Sequence, residues 1–211
     1  MEEILNKIAN KIKHQTKPVL IGISGHGASG KTTFAKELIA RLKEDVNFLN
    51  TDPYIITELR KSAQINYEYE NTKHTYQMTA CHPEAHNLLS LERDVKMLRN
   101  ELDLYTIDTD YAPSTFLSSE NKVNIVEGMS VAFLNPKIFD ITIYLYTDGE
   151  TEFDRRSIRD ITERGRSMEH LEKSHVQRRI QYDLFMHFYS ENFDVIIENS
   201  NDRFTIEKFS I

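Results

Sequence analysis

A glycine-rich stretch near the amino terminus constrains this chain more than any other feature. Residues 19–23 form an apolar, largely β-branched run, which predicts a buried strand. Residues 25–32 follow with the spacing G-x-x-x-x-G-K-T, and a helical pattern with apolar residues on one face begins at Thr33. A strand, a glycine loop and a helix in this order are the context in which such a loop binds phosphate groups.

The residue types of this loop suit a triphosphate. Glycine lets several backbone N–H groups converge on phosphate oxygens, and the helix that follows adds its positive end. Lys31 is expected to place its charge on the β- and γ-phosphates, and the Thr32 hydroxyl to take a Mg²⁺ ligand position. A glycine-rich turn without a ligand is the alternative, but every fixed position and both flanks match the phosphate-binding pattern. The residues predicted to bind the nucleotide here are Gly25, His26, Gly27, Ala28, Ser29, Gly30, Lys31, Thr32 and Thr33.

The length of 211 residues favours a single domain, residues 1–211. The formal net charge is −7 with acidic and basic residues well mixed, which differs from the clustered basic face of nucleic-acid-binding proteins. The one cysteine, Cys81, cannot form an intramolecular disulfide and favours a reducing compartment. No apolar run approaches membrane-spanning length and no secretory signal is visible, so we expect a cytoplasmic protein with no nucleic-acid or membrane partner.

Five apolar runs alternate with helical patterns, and each run ends at a polar residue. This alternation predicts an α/β fold in three αβα layers, a P-loop NTPase fold with a five-stranded parallel sheet. The residues after 198 are expected to form a short tail. The four runs that follow the first lie at residues 46–51, 123–126, 140–146 and 193–198.

Acidic residues follow the second and third predicted strands. Because ligands bind at the carboxyl ends of strands in open α/β sheets, Asp52 and Glu127 are expected to face the phosphate-binding loop. Asp52 is the candidate general base that accepts a proton from an acceptor hydroxyl; the alternative is an aspartate in a turn before proline. Glu127 is the candidate Mg²⁺ ligand; the alternative is a strand-end glutamate before a glycine turn.

Arginines dominate a helical segment that Asp148 is expected to cap. Arg155, Arg156 and Arg159 lie on this segment, which is predicted to be a helical lid over approximately residues 150–175. Such a lid closes over phosphates, neutralises charge during transfer and excludes water. A solvated helix face with ion pairs is the alternative reading of the same spacing.

The middle of the chain, approximately residues 53–120, is predicted to serve the acceptor side. Residues 55–80 have weak periodicity and several tyrosines, which fits either an acceptor-side insertion or a surface helix and loop. A helix start at residues 82–84 and an apolar stripe from Leu88 to Leu102 predict a core helix. Residues 103–122 are polar and turn-rich, and we expect a loop or an irregular hairpin.

Several segments together resemble the uridine kinase and phosphoribulokinase family of P-loop kinases, especially the uridine kinases. The arginine pattern is the longest and most specific, since residues 155–166 read R-R-S-I-R-D-I-T-E-R-G-R where the family has R-R-x-x-R-D-x-x-E-R-G-R. The other matching segments are D-P-Y-I at 52–55, A-C-H-P-E-A-H-N at 80–87, I-V-E-G at 125–128 and F-D-V-I-I at 193–197.

The resemblance implies roles for individual residues. It makes Asp52 the base and a neighbour of Mg²⁺, and it puts Thr32 and Glu127 on the metal. The acceptor side departs from the family pattern, because Cys81 stands where the family has an aspartate that grips ribose hydroxyls. The phosphate-binding arginines that it implies are Arg159, Arg164 and Arg166, with Arg159 catalytic beside Lys31 and Asp52. The acceptor-side residues are Tyr54, Cys81, His82, Tyr105 and Arg156.

Two functions follow from these observations. The first is an ATP- and Mg²⁺-dependent kinase that phosphorylates a hydroxyl of a small molecule, either a nucleoside or a sugar-like alcohol. The second is a nucleotide-binding regulatory protein that has lost kinase activity, which the altered acceptor side suggests.

Overall fold

Apolar strands and amphipathic helices surround one central sheet in this computed structural model. The structure describes the backbone of residues 1–164, 168–201 and 203–211, and their side chains except those of residues 159–164 and 170. The helices are α1 (Glu2–Lys13), α2 (Lys31–Leu42), α3 (Thr57–Ser62), α4 (Leu88–Arg99), α5 (Gly149–Arg164) and α6 (Met168–Phe185). The strands are β1 (Val19–Ser24), β2 (Val46–Asn50), β3 (Gln64–Tyr69), β4 (Thr72–Gln77), β5 (Leu104–Tyr105), β6 (Phe116–Leu117), β7 (Val123–Glu127), β8 (Ile141–Tyr146), β9 (Val195–Ser200) and β10 (Arg203–Phe209).

The central sheet has the order β10-β9-β8-β1-β7-β2 within the described residues. Its β1 strand pairs in parallel with β7 and β8, and the parallel pairing continues to β2 on one side and β9 on the other. These five parallel strands are the five that the sequence predicts, so the predicted α/β fold is confirmed. The carboxyl ends of β1, β7 and β2 therefore meet at one edge of the sheet.

The expected tail after residue 198 is wrong. The chain turns at Asn201, which has a φ of 50°, and β10 pairs antiparallel with β9 as a sixth strand. The sequence gives little sign of it because β10 is an edge strand whose side chains are mostly exposed, so its apolar residues do not form a buried run.

Alternate residues of the strands pack against helices on both faces of the sheet. Ile21 and Ile23 belong to a buried cluster with the apolar faces of α1 and α2. Leu20 and Tyr144 belong to a second cluster with residues of α4 and α6. This alternation follows from the period of two in a strand and produces the three layers predicted from the sequence.

The middle segment contains elements that the sequence did not define. Residues 55–80 form the short helix α3 and a β3–β4 hairpin, whose turn residues Glu70 and Asn71 both have positive φ, as a type I′ turn of two residues requires. Residues 103–122 form the expected irregular hairpin through β5 and β6.

Two local expectations change and one is confirmed. The helix predicted from 82–84 begins later, because Pro83–Ala85 forms a 3₁₀ turn and the Asn87 side chain caps α4. Leu102 lies beyond α4 and is 50% exposed, so it is not a core residue. The expected cap of α5 is confirmed, since Asp148 Oδ1 accepts a hydrogen bond from the Thr151 N–H at 2.7 Å. In the part of the chain that the structure describes, every helix is too short or too polar to cross a bilayer.

Candidate active site

The phosphate-binding loop joins the end of β1 to the start of α2. Gly25 has a φ of 141°, and a Cβ at this position would overlap the carbonyl oxygen of Leu145 on β8. Both facts require glycine, because other residues rarely adopt this conformation and the neighbouring backbone leaves no space. Ala28 and Gly30 also have positive φ, at 65° and 93°. This run of unusual backbone angles lets the loop turn back over the first residues of α2.

Lys31 lies buried at the first position of α2. Its Nζ donates a hydrogen bond to the carbonyl oxygen of His26 at 3.0 Å, so the ammonium group lies inside the curve of its own loop. Burial lowers the pKa of Lys31, while the carboxylates of Glu127 and Asp52 oppose this effect. The charge is therefore desolvated and faces two acids, an arrangement in which it interacts strongly with any anion that enters the loop.

Glu127 ends β7 beside the loop. The parallel register places it opposite Ile23 of β1, and its carboxylate Oε2 accepts a hydrogen bond from the Thr32 hydroxyl at 3.1 Å. The side chain is buried, and burial raises the pKa of Glu127, with Lys31 acting in the opposite direction. A buried carboxylate that touches a hydroxyl is a pair of hard oxygen ligands next to the phosphate-binding loop.

Asp52 follows β2 on the far side of β7. The register pairs Asn50 of β2 with Glu127, and the Asn50 side chain accepts a hydrogen bond from the Asp52 N–H at 2.8 Å. Asp52 then begins a 3₁₀ turn and lines the same cavity as Lys31, Thr32 and Glu127. The sequence predicts that the phosphate-binding loop, Glu127 and Asp52 meet at one edge of the sheet, and in the structure they are neighbours.

Two cavities meet at Lys31 and Thr32, which line both of them. The α2 cavity has a volume of about 540 Å³ and is also lined by Gly30, Arg155, Asn199 and Phe204. The Asp52 cavity has a volume of about 470 Å³ and is also lined by Asp52, Cys81, Tyr111, Glu127 and Arg156. One residue pair at the start of α2 therefore separates two spaces of small-molecule size.

The expected acceptor-side residues divide into two groups. Cys81 and Arg156 line the Asp52 cavity, and burial raises the pKa of the Cys81 thiol to about 11, so that it stays neutral. Tyr54 is only 1% exposed and donates its hydroxyl to Asp94 at 2.6 Å, which puts it in the core under α4. His82 contacts Phe185, and Tyr105 is 72% exposed against Phe116. The structure therefore does not bring Tyr54, His82 or Tyr105 to this cavity.

The cavities are also lined by residues that the sequence does not predict to be functional. Tyr111 lines the Asp52 cavity, and its hydroxyl donates to the carbonyl oxygen of Asp52 at 3.2 Å. No local pattern in the turn-rich segment marks it. Arg60 and Arg178 also line this cavity.

Two further side chains fix the phosphate-binding loop. Arg155 Nη1 donates to the carbonyl oxygens of Ala28 at 3.3 Å and Asn199 at 3.0 Å, and Asn199 Nδ2 donates to the carbonyl of Ser29 at 2.9 Å. Arg155 belongs to the arginine pattern of the sequence, whereas nothing near Asn199 points to the loop. The side chains of Arg159 and Arg164, and all of Arg166, lie outside the described residues.

A buried histidine supports the wall that carries Cys81. His86 Nε2 donates to the Ala80 carbonyl at 2.8 Å, and Nδ1 accepts from the Ser130 hydroxyl at 2.7 Å. The Ala80 carbonyl is only an acceptor, so the proton lies on Nε2. Burial lowers the pKa of His86 to about 4. The neutral ring is therefore part of the folded structure.

This histidine makes stability depend on pH. Unfolded His86 titrates near its ordinary value of about 6.5, so protons bind the unfolded chain first and stability falls as the pH drops from about 6.5 towards 4. The expected loss is about 3 kcal/mol at most. Urea unfolding midpoints between these pH values measure this loss in the wild type, in His86→Gln and in the control His14→Gln, which changes an exposed histidine. A pH dependence in His86→Gln as steep as that of the wild type contradicts the assignment.

A strand–glycine loop–helix unit, two strand-end carboxylates and a mostly parallel sheet of this order define a P-loop α/β nucleotide-binding protein. The family model described as "Phosphoribulokinase / Uridine kinase family" matches residues 20–205. Uridine kinase from Lactobacillus helveticus is 32% identical over 166 residues, which cover 72% of each chain. The chain belongs to the phosphoribulokinase and uridine kinase family, and it is a small-molecule kinase.

Solved structures share the fold at low sequence identity. D-glycerate 3-kinase from Cryptococcus neoformans superposes with a TM-score of 0.64 and 11% identity, over 98% of this chain and 99% of that one. Phosphoribulokinase from Rhodobacter spheroides superposes with a TM-score of 0.58 and 16% identity, over 87% of this chain and 71% of that one. These likenesses support the architecture of the sheet and its helices.

Proposed function

We propose that this kinase transfers the γ-phosphoryl group of ATP, in the presence of Mg²⁺, to a hydroxyl of a nucleoside or a sugar-like alcohol. The observation that carries the proposal is the shared wall of the two cavities, where Lys31 and Thr32 lie between the α2 cavity and the carboxylate of Asp52. A donor on one side and an acceptor on the other would meet at this wall.

The loop would bind the donor phosphates. Its backbone N–H groups and the amino-terminal end of α2 supply partial positive charge, and Lys31 would exchange the His26 carbonyl for a phosphate oxygen. The α2 cavity, about 540 Å³, has room for the rest of a nucleotide. ATP is the proposed donor because the family resemblance favours it.

The oxygen atoms beside the loop fit Mg²⁺. Within the described residues, no cluster of three or more His, Cys, Asp and Glu side chains forms a metal site of its own. Thr32, Glu127 and Asp52 instead offer one hydroxyl and two carboxylates, and Mg²⁺ typically takes one or two carboxylates and completes its shell with phosphate oxygens and water. When bound, the ion would neutralise charge on the phosphates.

Asp52 would act as the general base. It lines the Asp52 cavity together with Lys31 and Thr32, and it would accept the proton of the attacking hydroxyl there. Arg156 in the same cavity would stabilise the charge of the phosphoryl group in transit. The reaction would need little other chemistry, because positioning and charge neutralisation supply most of the rate in phosphoryl transfer.

The relatives suggest uridine as one acceptor, but the Asp52 cavity presents Cys81 to the hydroxyls of its ribose. A thiol whose pKa is raised to about 11 is a weak hydrogen-bond donor, so Cys81 would hold ribose hydroxyls less firmly than a carboxylate does. We therefore keep both nucleosides and sugar-like alcohols in the proposal.

The arginine-rich helices would form the lid of a single kinase domain over residues 1–211. Residues 150–175 would close over the donor, with Arg159, Arg164 and Arg166 on its phosphates, and residues 53–120 would form the acceptor side. The Arg155 and Arg156 contacts with the loop support this arrangement, since both hold the start of α5 against it.

A coupled assay of ADP release tests the proposal. The purified chain, Mg·ATP and a panel of nucleosides, free sugars, sugar alcohols and hydroxy acids are combined, and phosphorylated products are identified by mass spectrometry. We expect acceptor-dependent ADP release that disappears with EDTA. Binding of Mg·ATP without turnover on any acceptor would favour a regulatory nucleotide-binding protein instead.

A further inference from the structure

A buried carboxylate on α5 connects the phosphate-binding loop to both arginine-rich helices. The Glu152 side chain is 3% exposed and accepts hydrogen bonds from Arg156 Nε at 2.7 Å and Arg179 Nη1 at 3.2 Å. Its Oε2 also lies 3.4 Å from Nδ1 of His26 in the loop. One carboxylate thus contacts α5 itself, α6 and the phosphate-binding loop.

His26 gives this cluster a fixed geometry. His26 Nδ1 faces two acceptors, the Gly27 carbonyl oxygen at 2.9 Å and the Glu152 carboxylate at 3.4 Å, so the ring proton lies on Nδ1. Nε2 then accepts a hydrogen bond from the Thr147 N–H at 3.0 Å. The Arg179 guanidinium also donates to the Thr147 carbonyl at 3.1 Å. Thr147, the residue directly after β8, therefore holds both the imidazole and one of the two guanidinium groups.

The charges around Glu152 explain why its carboxylate stays ionised although it is buried. A buried carboxylate is costly unless cations and hydrogen bonds surround it. Burial alone raises the pKa of Glu152, but His26, Arg156 and Arg179 outweigh it and hold the pKa below its ordinary range. Burial lowers the pKa of His26, which keeps the imidazole neutral. The two guanidinium groups are thus the permanent partners of the carboxylate.

Arg156 connects the cluster with the reaction site. A Cβ at Gly27 would overlap Arg156 Nη2, so the guanidinium occupies the space that the glycine leaves beside the loop. The same side chain lines the Asp52 cavity. Its Nε is bound by Glu152 on the buried side, which leaves the Nη end directed at the loop.

We propose that Glu152 is a positioning residue, which holds the Arg156 guanidinium against Gly27 where the donor and the acceptor meet. The inference rests on the proposed function, because it gives Arg156 its role in transfer. Glu152 touches neither reactant; it acts by fixing Arg156, a side chain that does, and Arg179 and His26 fix Glu152 in turn.

Glu152→Gln tests the proposal because it keeps the size of the side chain and removes its charge. We expect kcat to fall about 10- to 100-fold, by analogy with the loss of an outer hydrogen-bond partner of a metal-ligating side chain. The KM for Mg·ATP should change much less. Glu92→Gln is the matched control, since the partly exposed Glu92 carboxylate pairs with Lys96 at 2.6 Å on α4. An unchanged kcat in Glu152→Gln overturns the proposal.

A double-mutant cycle separates positioning from general structural support. If Glu152 acts through Arg156, the double variant Glu152→Gln, Arg156→Gln has the same kcat as Arg156→Gln alone. Multiplicative losses overturn the proposal. Should Glu152→Gln lack a folded circular dichroism spectrum, Glu152→Asp takes its place in the cycle with the same criterion, because the shorter carboxylate keeps its charge but withdraws from Arg156 Nε.

Hydrogen exchange distinguishes this inference from the proposed function. If the wild type turns over no acceptor, the proposed function fails. Hydrogen exchange in the peptide that contains Gly27 then still tests whether Glu152 holds Arg156 against the loop. We expect Glu152→Gln, or Glu152→Asp in its place, to speed deuterium uptake there and in α5 relative to the wild type and Glu92→Gln. Equal deuterium uptake in the wild type, the Glu152 variant and Glu92→Gln means that Glu152 does not hold Arg156 against the loop, and it overturns this inference.

Discussion

Asp52→Asn is expected to lower kcat by about 10²- to 10⁴-fold, the contribution of a positioned general base. The substitution keeps the shape of the side chain and one oxygen, but the amide cannot accept the proton of the acceptor hydroxyl. The affinity for Mg·ATP should stay within about tenfold, because the loop and Lys31 supply most of the donor contacts. Initial rates of ADP release at saturating acceptor, together with calorimetric titration of Mg·ATP, measure the two effects separately.

Asp45→Asn is the matched control for this prediction. Asp45 is an exposed residue just before β2, so the same chemical change there should leave kcat unchanged. A wild-type kcat in Asp52→Asn means that another group accepts the proton, and the assignment of Asp52 as base is then wrong.

Lys31→Met is expected to lower kcat/KM for Mg·ATP by about 10²- to 10³-fold, as when one preorganised donor to a developing charge is removed. The methionine fills a similar volume but has no charge for the phosphates. Because the buried Lys31 ammonium interacts with the carboxylates of Glu127 and Asp52, its loss also removes positive charge that balances them, and the two carboxylates then repel an anionic donor more strongly. Steady-state kinetics over a range of Mg·ATP concentrations measure the effect.

Lys13→Met serves as the control here, since Lys13 lies exposed at the end of α1, away from the loop. Equal kcat/KM values for the Lys31 and Lys13 variants contradict the role of the loop as donor site.

Local pattern and topology are enough to predict the centre of this site. The loop at residues 25–32 is defined by contiguous residues and its flanking elements. One topological rule, that parallel strands end at the same edge of a sheet, predicts Asp52 and Glu127 beside this loop, and the register of β1, β7 and β2 brings them there.

Side-chain direction after a strand is less predictable. Tyr54 follows Asp52 by two residues, yet the 3₁₀ turn directs it into the core, where it pairs with Asp94. That contact depends on where α4 packs, which no local pattern encodes. Similarly, β10 and the β3–β4 hairpin are mostly exposed, so hydrophobic periodicity marks them weakly.

The contacts around Glu152 are also not predictable from local sequence pattern, because they join residues that are far apart in the chain. His26 and Glu152 are far apart in sequence, and each by itself looks ordinary: one residue of a glycine loop and one acid in the first turn of a helix. Only the pairing of β1 with β8 brings the loop beside the start of α5. The chemistry of the loop is therefore readable from the sequence, whereas the contacts that hold its neighbours in place are not.

Every role proposed above depends on a triphosphate in the loop, and calorimetric titration of the purified chain with Mg·ATP measures whether it binds. We expect saturable binding at submillimolar concentrations, weakened in Lys31→Met and unchanged in Lys13→Met. If a chain that is folded by circular dichroism gives no measurable heat up to millimolar Mg·ATP, the loop is not a donor site.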